Sequence, residues 1–299
     1  MLDLTTIILT YNEEKHIRRC LDNVCKFSKH IIIVDSPSTD RTIEICKEYA
    51  NVDIYTHLYP GNQADQLNWA LDNIKIETQW ILRLDADEYL SNDLIQEFEN
   101  KIPRLQENIS GVFLQRNHIF MGKHMKYERN ATILRLFRNG KAQCENRLMD
   151  EYMLIKEGNT TIFDHLFFDH NLCTLDEYCQ KHINYAVREA AMILIEKYET
   201  LKYTQITSLK SGIESTSFRK SKNKYNNLPV FWRCFAYFIY RYIFTGTFIQ
   251  GKAGFVYCFV QGWWYRVLVD GILNEAENYA KGDKNKIIEY MNSKYHIDL

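Results

Sequence analysis

The chain of 299 residues has almost no net charge: 37 basic side chains stand against 38 acidic ones, for a formal net of -1. Without a global field of either sign there is no general attraction to nucleic acid or to an acidic polymer, so any charged function is local. No two of the eight cysteines are spaced as a CxxC pair. The chain also does not open on a signal-peptide pattern, and these two absences predict reduced, mostly buried thiols in a cytosolic protein. Repeats and low-complexity segments are missing as well. So are long apolar runs: in the C-terminal tail the longest uncharged stretch, Ala253 to Tyr265, has thirteen residues, too few for a helix that spans a bilayer.

What is present suffices for a core. A 46% share of hydrophobic residues over this length suits one large domain, or one domain with an elaborated tail. Aromatic residues make up 14% and concentrate towards the C-terminus. The first hundred residues alternate short β-branched runs with helix-period segments, the pattern of βαβ units and a largely parallel sheet. "LTTIIL", "HIIIVD", "NVDIYTH" and "QWILRLD" read as strands. Asn12 offers a helix N-cap, with Glu13 and Glu14 in the first turn and Ile17, Cys20, Leu21 and Val24 as the apolar stripe. "SPSTD" caps a second helix carrying Ile43, Cys46, Tyr49 and Ala50, "QADQLNWALDNI" forms a third, and Ser91 begins a fourth. Further on, "GVFLQRNHIFMG", "ATILRLFRNG" and "TIFDHLFFDHN" read as strands without an intervening helix, and after Thr174 the chain is mostly helical.

In an open α/β sheet ligands bind beyond the carboxyl ends of the strands, which points to "TYNEE", "DSPSTD" and "DADE". In "ILRLDADEYL", Asp85 and Asp87 lie two apart on an extended segment and can converge on one point, while Ala86 leaves the approach open and Glu88 points away as support. So sparse a carboxylate set suits a divalent cation, Mg2+ or Mn2+, whose shell phosphate oxygens and water complete. Such a cation would offset charge on a departing diphosphate. The alternative is that these acids simply end a strand and open a helix. Tyr11 can stack on a base, Glu13 can accept from ribose hydroxyls and Asp35 from a base N–H. Each has a plainer reading as a cap or strand terminator; at successive strand ends of one sheet they outline a nucleotide pocket leading to a metal.

"TIILTYNEEKHIRRCLDNV", "IIIVDSPSTDRTIEI", "QLNWAL" and "WILRLDADEYL" resemble, in order and spacing, the nucleotide-sugar half of the bacterial family-two glycosyltransferases of GT-A fold. Within that family the chain is similar to glucosyl- and heptosyl-type transferases of lipopolysaccharide core and capsule. The resemblance covers residues 1 to 100 and continues in patches to about 275. It implies an α/β GT-A architecture, Rossmann-like, with a mostly parallel central sheet flanked by helices and a helical, aromatic-rich C-terminal extension. Residues 1–172 would be the catalytic domain, 1–100 its nucleotide-sugar half and 101–172 its acceptor half, with 173–299 a helical region at the membrane interface. The resemblance further implies an inverting transfer from a nucleotide-diphosphate sugar, a UDP-sugar being favoured. "DAD" would be the metal-diphosphate motif, with Asp87 the direct ligand and Asp85 its partner. Thr10, Tyr11, Asn12, Glu13, Asp35, Gln66, Asn68, Asp85, Ala86 and Arg135 would surround the nucleotide sugar. Pro37 stands where Gly is usual in the family's "VDSGSTD" loop; it stiffens the loop and leaves Asp35 and Asp40 in place.

Inversion by direct displacement needs a base for the acceptor hydroxyl proton. "ILRLFRNGKAQCENRLMDEYM" is similar to the family's stretch ending in His-Glu or Glu-Asp and supplies Asp150 and Glu151. Asp150 is preferred, with Glu151 orienting or replacing it; a solvated acidic turn is the alternative. Arg135 and Arg138 suit bidentate contacts with a phosphate, though Arg135, between apolar neighbours, equally suits a buried ion pair. Of His165 and His170, His170 better matches a family histidine that reaches the metal or diphosphate, with a hydrogen-bonded structural role as the alternative.

"RKSKNK", Arg219 to Lys224, precedes a segment in which Arg233, Arg241, Lys252 and Arg266 punctuate Trp, Tyr and Phe. That is the composition of helices lying at a membrane interface with basic side chains reaching headgroups. It predicts membrane contact through residues 219–275, a peripheral place on the cytoplasmic face of the inner membrane, and a lipid-linked glycan or glycolipid acceptor. A buried aromatic hairpin or a contact within a homo-oligomer is the alternative. Two other functions compete: a nucleotidyltransferase of similar fold and a non-catalytic membrane-associated scaffold. Against the first, "TYNEE" is acidic where a Gly-rich, Lys- or Arg-bearing phosphate loop would stand.

Overall fold

The computed structural model describes residues 1–128, 130–149, 151–199, 222 and 224–297. Its first half is built on four parallel strands, β1 (Leu2–Thr10), β2 (Ser28–Asp35), β3 (Val52–Thr56) and β4 (Trp80–Asp85), in the order β3-β2-β1-β4. β1 is buried on both faces, as a central parallel strand should be. Its period of two sends Leu4 and Ile8 into one cluster with Ile17, Leu21 and Phe98, and Ile7 into another with Ala64, Leu67 and Ala70. The first face is covered by α1 (Ile17–Val24) and α4 (Asn92–Lys101), the second by α3 (Gln63–Asn73). Ser91 Oγ accepts from the Leu94 N–H at 3.1 Å and Asn62 Oδ1 from the Asp65 N–H at 2.7 Å, so α4 and α3 begin where their caps predict.

The second half is mixed. β8 (Ala131–Arg138) runs antiparallel to β4 and to β6 (Ile109–Phe120), β6 pairs in parallel with β11 (Asn159–Asp169), and β11 carries β5 (Glu88–Leu90) antiparallel at the end of the order. Between β6 and β8 lies the short β7 (Lys123–His124), and β9 (Ala142–Cys144) with β10 (Met153–Ile155) makes a separate two-stranded sheet. β5 therefore follows β4 after a turn of only Ala86 and Asp87, yet lies far from β4 in the sheet. That divergence places Asp87 where two parts of the sheet separate.

α5 (Leu175–Tyr198) begins with a capping box between Thr174 and Glu177. It packs on α8 (Tyr265–Ala280), and α9 (Lys284–Tyr295) packs on both, around Ala190, Leu194, Leu273, Ala276 and Met291. α6 (Trp232–Ile239) continues as a π-helical turn to Phe244, and α7 (Lys252–Tyr257) runs through a second π-helical stretch into α8. Ala253 and Tyr257 of α7 bury against Phe120 and Met125, joining this region to the end of β6.

Several expectations change. α1 starts at Ile17, because Asn12 adopts a left-handed backbone at φ 55° and its amide works elsewhere. Its Oδ1 accepts from the Thr39 N–H and its own N–H donates to Ser38 Oγ, each at 2.8 Å, so "TYNEE" is a loop stitched to "SPSTD" rather than a first helical turn. α2 (Thr42–Cys46) ends before Tyr49 and Ala50. Arg233, Arg241 and Arg266 do not reach outward: they pair with Asp270, Glu128 and Glu189, and all three also stack on tyrosine rings. A guanidinium within an aromatic bundle is stabilised by an internal carboxylate, which leaves Lys252 as the exposed cation of that set. Arg219, Lys220, Ser221 and Asn223 of the basic cluster lie outside the described residues, and Lys222 faces Glu189 at 3.1 Å.

His165 also has a structural role. Between Ile162 and Leu166 the β11 register against β6 shifts, and the Asp164 and His165 N–H groups donate to Glu97 of α4 at 3.0 Å each, with His165 Nδ1 at 2.8 Å. Burial raises the Glu97 pKa, but Lys101 and these donors overcome it and hold the carboxyl down at about 2. A depressed carboxylate contributes stability above its unfolded pKa and loses it as the pH falls towards the folded value. Glu97→Gln is therefore expected to cost about 1–3 kcal/mol at neutral pH, the difference from wild type shrinking between pH 4.5 and 2 in urea titrations.

Candidate active site

The ends of β1 and β2 form the first wall. Thr10 Oγ1 donates to Asp35 Oδ1 at 2.7 Å, Ser38 Oγ donates to the same oxygen at 2.6 Å, and the Ser38 N–H donates to Oδ2 at 2.8 Å. Asp35 is 1% exposed, while the Tyr11 ring beside it is 62% exposed and open to a stacking partner. The Glu13 N–H donates to Thr42 Oγ1 at 2.7 Å, and its carboxylate meets His16 Nδ1 at 2.6 Å. His16 Nε2 accepts the Leu172 N–H at 2.9 Å, so the ring proton sits on Nδ1 and is donated to Glu13. This chain of contacts ties the loop after β1 to the loop after β11.

Gln66 and Asn68 are engaged with the protein. Gln66 Nε2 donates to Ser36 Oγ and to the His57 carbonyl at 3.1 Å, and Oε1 meets His57 Nδ1 at 2.7 Å. The Asn68 amide exchanges two hydrogen bonds with the Cys144 backbone, at 2.8 and 2.9 Å, which fixes β9 and the start of the segment leading to Glu151.

The acids after β4 divide into two groups. Ala86 and Asp87 form a turn, so Asp85 and Asp87 do not share one extended face as the spacing predicts. Asp85 Oδ2 lies 3.0 Å from Arg135 Nη2 and its Oδ1 3.3 Å from Arg83 Nη2; Glu88 Oε1 lies 2.6 Å from the same Arg135 nitrogen. Glu88 Oε2 also accepts the Asp85 N–H at 3.0 Å. Arg135, 2% exposed, is thus a buried ion-pair partner, and its guanidinium is turned to these carboxylates. Burial raises both acids, but Arg83 and Arg135 hold Asp85 well below the usual carboxylate range, whereas at Glu88 burial and the neighbouring Asp85 push the carboxyl upward against the pull of Arg135.

Asp87 belongs to neither pairing. Oδ2 accepts from Asn171 Nδ2 at 3.2 Å, and among the described residues no cation stands at salt-bridge distance. Burial, reinforced by Asp169, Asp85 and Glu13 and opposed by Lys181, raises its pKa to about 6. A carboxylate held among other carboxylates without a cation of its own fits a hard divalent ion. Among the described residues no group of three His, Cys, Asp or Glu side chains is spaced to hold a metal by itself, so phosphate oxygens and water would have to complete the shell.

His170 is not arranged as a ligand. Its N–H donates to the Asp87 carbonyl at 3.0 Å and its Nδ1 stands 2.9 Å from Arg19 Nη1, while Arg19 Nη2 donates to both the Asp87 and the His170 carbonyls. A guanidinium only donates, so Nδ1 accepts and the neutral ring carries its proton on Nε2, a donor position. Burial and then Arg19 keep the ring below its usual pKa, hence neutral. Arg138 is removed from the site altogether: it bonds the Ile109 carbonyl at 2.7 Å and covers the Trp80 ring.

Glu151 lies 3.6 Å from Arg83, which also contacts Asp85; Asp150 lies outside the described residues. Arg83, Asp169 and Lys181 were not expected in the site. Arg83 had a signal, a charged residue inside an apolar strand on the same face as Asp85. Lys181 had none, because only the packing of α5 brings it towards Asp87 and Glu13.

Residues 5–155 match the family model described as glycosyl transferase family 2. The chain belongs to this family. Its strand order, with helices on both faces and a helical C-terminal part, is that of the GT-A fold. An uncharacterised glycosyltransferase of Rickettsia bellii is 26% identical over 85% of this family 2 chain and 80% of its own length. Glycosyltransferase GlyA of Streptococcus pneumoniae is 27% identical over 36% of this chain, a match that spans 16% of that protein, and a Rickettsia typhi glycosyltransferase is 35% identical over 33% of this chain and 32% of its own length. Among solved structures, the mannosyltransferase PcManGT from Pyrobaculum calidifontis, in complex with GDP-Man and Mn2+, aligns over 94% of this chain and 88% of its own at 15% identity with a TM-score of 0.49.

In this family 2 chain Arg135 is the charge that makes the buried acids tolerable. Arg135→Met leaves Asp85 and Glu88 without their shared partner and is expected to lower stability by about 3–5 kcal/mol, read from the urea unfolding midpoint; a loss below about 1 kcal/mol would show that the pair is dispensable.

Proposed function

We propose that the protein transfers a sugar from a nucleotide-diphosphate sugar, a UDP-sugar being favoured, to a hydroxyl of a lipid-linked bacterial glycan, with inversion and with a divalent cation on Asp87. The observation that carries this reading is Asp87 itself, an acid with no cation at salt-bridge distance among the described residues, where β4 and β5 diverge, beside a loop pair headed by the exposed Tyr11. When bound, the cation would neutralise charge developing on the leaving diphosphate. Tyr11 stacks on the base, and Thr10, Asn12, Glu13 and Asp35 shape the pocket around it. Lys181, which Tyr185, Asp87 and Glu13 keep charged against the effect of burial, and the His170 Nε2–H donate to diphosphate oxygens. Glu151, beside Arg83, or Asp150 takes the acceptor proton. Residues 1–172 form the catalytic unit in this reading, and the change from strand β11 to helix α5 near that boundary supports it.

Asp87→Asn is expected to abolish the Mn2+-dependent part of UDP binding in calorimetry and to reduce transfer by at least ~100-fold. Metal-independent nucleotide binding in the wild type would overturn the cation reading. Asp150→Asn and Glu151→Gln separate the two base candidates: the base variant loses ~100- to 10,000-fold in kcat, and full activity in both variants would remove the assignment.

The same reading places the protein peripherally on the cytoplasmic face of the membrane. Among the described residues no helix is long and apolar enough to cross a bilayer. Phe235, Trp263, Phe259 and Phe255 nevertheless form a ring-to-ring chain with centroids 5.6, 5.7 and 6.1 Å apart, and Trp232 and Phe244 are 76% and 77% exposed. From Leu228 to Val269 the sequence has no acidic residue, so this stretch itself contributes no side chain that repels an anionic lipid surface. Trp232→Ser with Phe244→Ser, both at exposed positions that change stability by about 0.5 kcal/mol or less, is expected to reduce co-sedimentation with phosphatidylglycerol vesicles several-fold; unchanged pelleting would sink the interfacial assignment.

A further inference from the structure

A cavity of about 240 Å³ lies beside Asp87, lined by residues of the β6–β7 turn, the loop after β11, and helices α5 and α7. Three rings wall it: Phe120 stands 5.3 Å, centroid to centroid, from both Tyr178 and Tyr257. Its polar lining includes Asp169 and Asn171, and Asn171 donates to Asp87 Oδ2 at 3.2 Å, which joins the cavity to the acid turn. None of Tyr11, Asp35 and Gln66 lines it, so it is set apart from the base and ribose end of the nucleotide pocket, while His170, the proposed diphosphate donor, lines it and stands where the two would meet. His118 Nε2 lies 3.4 Å from Asp169 and its Nδ1 3.1 Å from the Tyr257 hydroxyl, so ring wall and carboxylate are fastened together.

We propose that this cavity is the acceptor subsite and that it takes one neutral sugar ring; the proposal rests on the glycosyltransferase reading above. Aromatic faces match the C–H face of a pyranose, and a carboxylate with an adjacent amide matches its hydroxyls. The volume suits a single ring, being below the ~300–1,000 Å³ of sites for drug-sized ligands. A phosphate-bearing acceptor is disfavoured, because Asp169 lines the cavity with Asp87 behind it, and Arg116, the cation that faces Asp169 at 3.7 Å, is already turned to that carboxylate, as is the His118 ring. Tyr257 sits on the same helix as Phe255 of the exposed aromatic chain, so a ring held here would lie close to the face proposed to meet lipid.

The test uses the full chain in saturation-transfer NMR with methyl β-glucoside and methyl β-galactoside as neutral probes and glycerol phosphate as the anionic one. UDP and GDP with Mn2+ serve as controls for the nucleotide pocket. At least one glycoside is expected to bind and glycerol phosphate is not. Leu172→Trp narrows the mouth from a side chain that is already 44% exposed, so the fold should tolerate it. It is expected to weaken glycoside binding at least ~fivefold while leaving nucleotide binding within ~twofold. Asp169→Asn is expected to weaken glycoside binding by a similar factor. The proposal is overturned if nucleotide binds and no glycoside does, if glycerol phosphate binds in preference, or if Leu172→Trp leaves glycoside binding unchanged. Absence of nucleotide binding in the wild type would instead overturn the glycosyltransferase reading, and this proposal with it.

Discussion

The guanidinium of Arg135, shared between Asp85 and Glu88, is the interaction on which the rest of the site depends. β4 and β5 are two residues apart in the chain and far apart in the sheet, so the turn between them must be held by something other than a strand ladder. Arg135 reaches both flanks of that turn from β8, and Arg83 supports the Asp85 side. Buried carboxylates of this kind are stable only when paired. Arg83 and Arg135 are turned to Asp85 and Glu88, and Asp87, between them in sequence, shares neither guanidinium.

A second set of contacts turns separate strand ends into one rim. Asn12 bonds Ser38 and Thr39, the Glu14 N–H donates to Asp40, and His16 receives the Leu172 N–H while donating to Glu13. Loops that follow β1, β2 and β11 therefore share hydrogen bonds across gaps that no strand pairing covers. Such a rim is rigid where its backbone groups are satisfied, and the Tyr11 ring stands exposed on it. The C-terminal helices follow a related logic with the signs reversed: their arginines turn inward to carboxylates and to buried rings such as Tyr257 and Tyr265, while Trp232, Phe244 and Phe248 remain exposed.

The strands and most helices of the first hundred residues were legible because their burial is periodic, and the acids at the strand ends were legible because charge after an apolar run is unusual. What misled was every residue whose role depends on a distant partner. Asn12 reads as a cap until the Ser38 loop is beside it, His165 as a candidate ligand until Glu97 meets the shifted register of β11, and His170 as a metal ligand until Arg19 decides which ring nitrogen holds the proton. Arg241 and Arg266 read as headgroup contacts for the same reason, since Glu128 and Glu189 lie 113 and 77 residues away in the chain.

The sequence by itself determined the parallel half of the sheet, the family, and Asp87 as the acid at issue, because local periodicity and a short motif encode each of them. Tertiary structure decided which carboxylates pair with Arg83 and Arg135, which histidine nitrogen donates, and that Asp169 and Lys181 stand near Asp87. Those are questions of pairing and burial between segments, and a charge acquires its partner and its pKa only when the chain has closed around it.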